Sequence, residues 1–147
     1  MSELAPEVPS GLVLPSPPVP PSAITAHTEP FWTGLANGTL RLPRCDDCGA
    51  VIWYPRPLCP HCHGTRATWF DASGRGIVYS FTVVRRGSGA YADAAPYVVA
   101  YVELDEGPRV LTNIVDGADG DVRVGAPVEA VLGPVANAAP LLRFRLR

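Results

Sequence analysis

The sequence predicts a mainly β protein: a short N-terminal helix, a four-cysteine metal ribbon, then a barrel of five strands. Two CxxC pairs within residues 45–62 predict the ribbon. Apolar–polar alternation from Ala67 onward, broken by turn residues, predicts the barrel. Length is the third observation. A chain of 147 residues suits one compact unit, or one small unit plus an appendage, and can bury roughly two-thirds of its unfolded surface.

Composition narrows the function classes. Hydrophobic residues make up 47% and charged residues 18%, the balance of a globular chain. A net charge of −2 and a pI near 5.9 give no general electrostatic reason to bind nucleic acid. All 12 basic residues are arginine, which leaves every cation suited to bidentate contacts. No stretch approaches the ~18 continuous apolar residues of a membrane span. Met1, Ser2 and Glu3 open a segment whose apolar residues are interrupted by proline, so no secretory signal is expected. The expected compartment is the cytoplasm, where paired thiols serve as metal ligands or catalysts more often than as disulfides.

Four stretches follow in order. Residues 1–22 carry Pro6, Pro9, Pro15, Pro17, Pro18, Pro20 and Pro21 with almost no charge, and are expected to be an extended, disordered leader. Residues 23–43 read as a short helix and a lead-in strand. Thr28 is placed to cap, Glu29 and Pro30 suit the first turn, and Phe31, Trp32 and Leu35 form an apolar side. Asn37-Gly38 stops the helix and "TLRLP" extends towards the cysteines. The aromatics on so short a helix need cover, from their own domain or from a second protein.

Residues 44–66 hold Cys45, Cys48, Cys59 and Cys62, with 10 residues between the pairs. Each CxxC presents two thiolates on a tight turn, and two facing turns complete a tetrahedron around zinc. Iron in the same sulfur cage is the alternative. Gly49 and Gly64 follow the pairs, where the turns are expected to need positive φ. "AVIWYPRPL" between them reads as a strand and a proline-rigid return. His61 and His63 flank Cys62; with four cysteines present, they are expected to face solvent or to support the site from outside. Four protein ligands close the metal's coordination, so the metal is expected to be structural.

Residues 67–147 are expected to form the barrel. "TWFDASGRGIVYSFTVVRR" has a Ser73-Gly74 turn and a long strand from about Gly76 to Arg86. "PYVVAYVEL", "RVLTNIV", "PVEAVL" and "LLRFRL" follow, with a tight hairpin at Glu106-Gly107. Five antiparallel strands of this size point to a small barrel of the oligonucleotide/oligosaccharide-binding (OB) type. No G-x-S-x-G, phosphate loop or H-E-x-x-H occurs, so no catalytic residue is assigned. Asp93, Glu103, Asp105 and Glu106 are expected to be solvated. Arg85 and Arg86 precede the "GSGAYADAA" loop and are candidates to meet a phosphate or an acidic partner, with solvation the simpler role.

The runs "FWTGLANGTLRLPRCDDCG", "YPRPLCPHC", "GRGIVYSFTVV", "PYVVAYVELDEGPRVLTNIV" and "VRVGAPVEAVL" resemble the DUF35 family over roughly residues 25–147. The resemblance implies a rubredoxin-like zinc ribbon joined to an OB-fold domain. It implies a small non-catalytic partner of thiolase-superfamily enzymes: acyl-CoA thiolases, aldolases of steroid side-chain breakdown, or polyketide-forming acyltransferases. Acyl-CoA would then be met through the partner. Phe31, Trp32, Trp53 and Tyr54 are the expected partner-binding residues. Two other classes stay open. A ribbon plus an OB barrel also occurs in single-strand nucleic-acid binders, although those need a basic groove with stacking aromatics. A small stand-alone acyl-CoA enzyme is the third.

Overall fold

Alternating residues from Arg75 to Leu146 wrap, in the computed structural model of this chain, into a closed five-stranded barrel. The structure describes residues 24–116, 119–133 and 140–147, so the expected leader at 1–22 lies outside the described residues. One helix, α1 (Glu29–Ala36), precedes the strands. They are β1 (Arg41–Cys45), β2 (Ala67–Asp71), β3 (Arg75–Val84), β4 (Tyr97–Leu104), β5 (Arg109–Val115), β6 (Pro127–Val131) and β7 (Arg143–Leu146).

Helix α1 begins with Glu29 and Pro30, which tolerate the unpaired amides of a first turn, and ends before Gly38 at φ +82°. Thr28 stands at its N-cap but does not cap with its side chain. Its hydroxyl instead accepts the Thr25 N–H at 2.9 Å, fixing the turn before the helix. Eight residues are too few for a helix to persist on propensity. Burial of Phe31 and Leu35, each 2% exposed, holds it in place.

The barrel order is β3-β4-β5-β7-β6, closed by β6 against β3. Four of its five contacts are antiparallel, but β5 and β7 run parallel through Ile114↔Phe144 and Val115↔Arg145. The all-antiparallel expectation is therefore corrected. A chain that leaves β5, adds β6 beside β3 and then fills the remaining gap must return parallel to β5. The hairpin at Glu106-Gly107 forms as expected, with Gly107 at φ +114° and the Leu104 amide bonded to the Pro108 carbonyl at 2.9 Å.

Two further expectations change. Strand β2, read with the barrel, pairs instead with β1, from Arg41↔Asp71 to Cys45↔Ala67. The long strand ends at Val84 rather than at Arg86. It also carries a bulge between Val78 and Ser80, so that Val78 faces Val102 while Ser80 faces Tyr101. One extra residue flips the strand's alternation. Ile77 and Tyr79 stay outside, while Phe81 and Val83 pack against the core.

That core is continuous. Phe31, Leu35, Leu40 and Leu42 from the helix and β1 join Val78, Val102, Leu104, Val110, Val128 and Phe144 of the barrel. A smaller cluster of Cys45, Ile52 and Cys59 lies beneath the cysteine turns.

Candidate metal centre

Two turns of the same design present the cysteines. In the first, the Cys45 N–H bonds to the Ala50 carbonyl at 2.8 Å and the Gly49 N–H to the Cys45 carbonyl at 2.9 Å. In the second, the Cys59 N–H bonds to the Gly64 carbonyl and the His63 N–H to the Cys59 carbonyl, both at 2.9 Å. The residue just after the second cysteine of each pair takes the left-handed conformation: Gly49 at φ +76° and His63 at φ +64°. Gly64 was expected to need positive φ and does not; the repeat places that demand one residue earlier. Gly64 is small for a different reason. A Cβ there would sit 2.5 Å from Asp47 Oδ2 and 3.3 Å from Cys62 Sγ. Asp47 occupies that space because it pairs with Arg66 at 2.6 Å, and Asp46 beside it accepts the Thr68 hydroxyl at 2.7 Å. These contacts tie the first turn to the start of β2.

"AVIWYPRPL" is not a strand. It makes one bridge, Arg44↔Val51, and then irregular backbone that returns to Cys59. Buried Ile52 and Pro55 anchor it.

The four sulfurs converge. All lie within 4.8 Å of one another, with Cys45 to Cys62 at 3.5 Å and Cys48 to Cys59 at 3.7 Å. A tetrahedron of sulfurs about 2.3 Å from a central zinc has edges of about 3.8 Å. The donor set fits a thiophilic divalent ion. Cys45 and Cys59 are buried; Cys48 and Cys62 are exposed.

The electrostatics agree with that fit. Burial raises the Cys59 thiol, but the N–H groups of Cys62 and His61 outweigh it and the thiol is lowered to about 7. At Cys62 the Gly64 N–H pulls downwards, yet the adjoining Cys45 sulfur and burial prevail and push it up to about 12. Cys48 is also raised, against the pull of the Ala50 N–H, by burial and by its sulfur neighbours. One thiol ionises readily and its neighbours then resist. A cation at the centre removes that conflict by stabilising all four thiolates.

The remaining residues singled out in the sequence are dispersed. His61 and His63 are exposed, as expected. Phe31, Trp32, Trp53 and Tyr54 form one aromatic cluster, with Phe31 edge-on to the other three at centroid distances of 5.1, 5.6 and 5.9 Å. Phe31 sits at its centre, only 2% exposed, so its expected role at an interface is corrected to core. Trp32, Trp53 and Tyr54 are half-buried against that core. Arg85 and Arg86 are exposed just beyond β3. Asp93 and Asp105 are exposed, Glu103 pairs with Arg109 at 2.9 Å, and Glu106 accepts the Ser73 N–H at 2.6 Å. Reasoning from sequence missed the outward face of the barrel, where Tyr79 and Tyr101 are each 46% exposed and Leu111 is 58% exposed. Their alternation with buried neighbours was the signal that could have found them.

Comparison with known proteins accords with this geometry. Residues 32–67 match the ChsH2 rubredoxin-like zinc ribbon domain and residues 69–133 the ChsH2 C-terminal OB-fold domain. A DUF35 domain-containing scaffold protein of Methanocaldococcus jannaschii is 43% identical over 91 residues, 60% of this chain. The match spans 63% of that relative, a little under two-thirds of its length. The benzoylsuccinyl-CoA thiolase subunit BbsA of Geobacter metallireducens is 34% identical over 71% of this chain and 70% of its own. Among solved structures, a chain of the Ltp2-ChsH2(DUF35) aldolase superposes with a TM-score of 0.73 at 33% identity, covering 84% of this chain and 97% of that one. The chain therefore belongs to the DUF35 family, with a ChsH2-type zinc ribbon joined to an OB-fold barrel.

Proposed function

We propose that this chain is a non-catalytic accessory subunit that binds and supports a thiolase-superfamily enzyme acting on CoA thioesters. The observation that carries the reading is the likeness to a chain of the Ltp2-ChsH2(DUF35) aldolase, 97% of which is covered. The BbsA relative, a subunit of a thiolase by its name, supports the same reading. So does the chemistry of the cysteine site. Cys45, Cys48, Cys59 and Cys62 would hold zinc with all four positions filled by protein, and such a centre stabilises fold without taking substrate. The ion's part is structural: it would neutralise thiolate charge and lock the two turns together. The chain's own residues prepare the site, through the paired amide–carbonyl bonds of each turn and the Asp47–Arg66 contact. The reducing cytoplasm is the compartment that suits four free thiolates. No helix among the described residues is long and apolar enough to cross a membrane.

The test is purification of the full chain from its host, identification of what accompanies it, and metal analysis of the same sample. The reading requires a thiolase-like enzyme in stable stoichiometry, acyl-CoA turnover by the pair but not by the lone chain, and one zinc per chain. Turnover of acyl-CoA by the lone chain would overturn it. Iron in place of zinc would change the ion and leave the subunit reading standing.

A further inference from the structure

Arg143, the first residue of β7, stands beside a cavity with its Nε buried and donating to nothing. Two residues on, Arg145 pairs with Glu129 of β6 at 2.8 Å. The same register sets Arg143 against Val131 instead. On the other side Ile114↔Phe144 brings Asn113 alongside, so neither neighbouring strand offers Arg143 a carboxylate. Asn113 spends an amide N–H on the Val98 carbonyl at 3.0 Å, and the Thr112 hydroxyl is spent on the Leu142 carbonyl at 2.8 Å. The cavity holds about 330 Å³, with Tyr91, Tyr97, Leu111 and Leu142 among its walls and no acidic residue among the described residues that line it. The Tyr91 and Tyr97 rings lie 5.7 Å apart, tilted by 38°.

We propose that this cavity binds a small organic carboxylate, its anionic head on Arg143 and its apolar body among the tyrosines and leucines. The inference stands apart from the accessory-subunit reading. A buried cationic donor without an acceptor is unfavourable, and an entering carboxylate supplies that acceptor in a charge-assisted hydrogen bond. The place in the fold also suits a ligand. OB barrels take theirs on the second and third strands, between the loop after the first strand and the loop before the fifth. Here those strands are β4 and β5, and the loops are the turn carrying Tyr91 and the segment ending in Leu142. What lines the cavity selects the ligand. A single-stranded nucleic acid needs a row of cations to follow its phosphates, and a phosphate group brings more than one negative charge. Arg143 is the one cation among the described residues of this wall, and one guanidinium balances one carboxylate. The apolar walls favour a body of a single ring or a short alkyl chain, in a volume at the lower end of the ~300–1,000 Å³ of small-molecule sites.

The experiment titrates 3-phenylpropanoate, its neutral amide and inorganic phosphate into the full chain, with binding followed by backbone amide chemical shifts and calorimetry. The acid should move the amides of residues 97–99, 111–113 and 141–143, and should bind about tenfold or more tighter than the amide. Phosphate should leave those shifts in place. Arg143→Met keeps an unbranched stem and removes the guanidinium. It should abolish the acid's advantage over the amide while melting no lower than the parent, since it loses an unmatched buried cation. Equal binding of acid and amide, shifts confined to other residues, or phosphate binding as tightly as the acid would overturn the proposal. So would a fall of more than about 5 °C in the melting of Arg143→Met, which would show that the guanidinium serves the fold. If the lone chain ignores the acid but Arg143→Met weakens its hold on a co-purifying enzyme, the carboxylate is a partner's side chain. That result overturns the small-molecule site and leaves the accessory-subunit reading standing.

Discussion

Replacing Phe31 by alanine removes a ring that is 2% exposed and stands edge-on to Trp32, Trp53 and Tyr54, with centroids 5.1 to 5.9 Å away. Deleting a buried phenylalanine costs about 3–5 kcal/mol, from lost transfer energy and the cavity left behind. Phe31 belongs in the upper half of that range. Its neighbours are large rings that cannot collapse into the gap, and each edge contact adds about 0.5–1.5 kcal/mol beyond burial. Helix α1, at eight residues, then keeps only buried Leu35, the half-buried Trp32 and its bonded turns to hold it docked. A loss of about 4 kcal/mol is a large part of the ~5–15 kcal/mol that holds a domain of this size, and corresponds to roughly 10–15 °C in melting temperature. Urea unfolding followed by circular dichroism, together with calorimetry, measures both quantities. Phe31→Leu, which keeps most of the volume, should lose less than half as much. A loss below about 1 kcal/mol in the alanine variant would refute this account and return Phe31 to the surface role that the sequence alone suggested.

Other outcomes follow from particular contacts. Gly76→Ala should cost about 2–3 kcal/mol, because a Cβ there collides with the Glu103 carbonyl on the paired strand and meets Val102 Cγ1 at 3.0 Å; an unchanged urea midpoint would show that β3 and β4 are not so closely paired. Thr112→Val should lose about 1–2 kcal/mol, since the Thr112 hydroxyl donates to the Leu142 carbonyl at 2.8 Å and valine leaves that acceptor unmatched. Cys45→Ser and Cys62→Ser should give poorly soluble protein without bound metal, and a strong chelator should unfold the parent's ribbon. Tetrathiolate zinc contributes about 10–16 kcal/mol in small peptides, as much as a whole domain's stability; well-folded parent protein free of zinc and iron would sink the site. Gly64→Ala should be tolerated with a loss under about 1 kcal/mol, since the carboxylate it displaces belongs to an exposed Asp47–Arg66 pair.

The amino-acid order by itself determined what depends on neighbours in the chain. Two CxxC turns are local structures, so their sulfurs were expected together and lie together. Strand positions follow from a two-residue period, and α1 from its first-turn proline and terminal Asn37-Gly38. Tertiary structure decided what depends on residues far apart. A two-residue period says that a segment is a strand and nothing about its neighbour, so only the fold placed β2 beside β1 and β7 parallel to β5. One bulge residue reverses every later side chain on β3, which is why Phe81 and Val83 turn inward while Tyr79 stays out. The same holds for the aromatics. Phe31 and Tyr101 are both aromatic in sequence, yet one is enclosed by rings from the ribbon and the other faces outward because barrel closure fills the inner side of β4 with Val98, Ala100 and Val102. Burial is a property of packing between distant segments, and that packing exists only once the chain has folded.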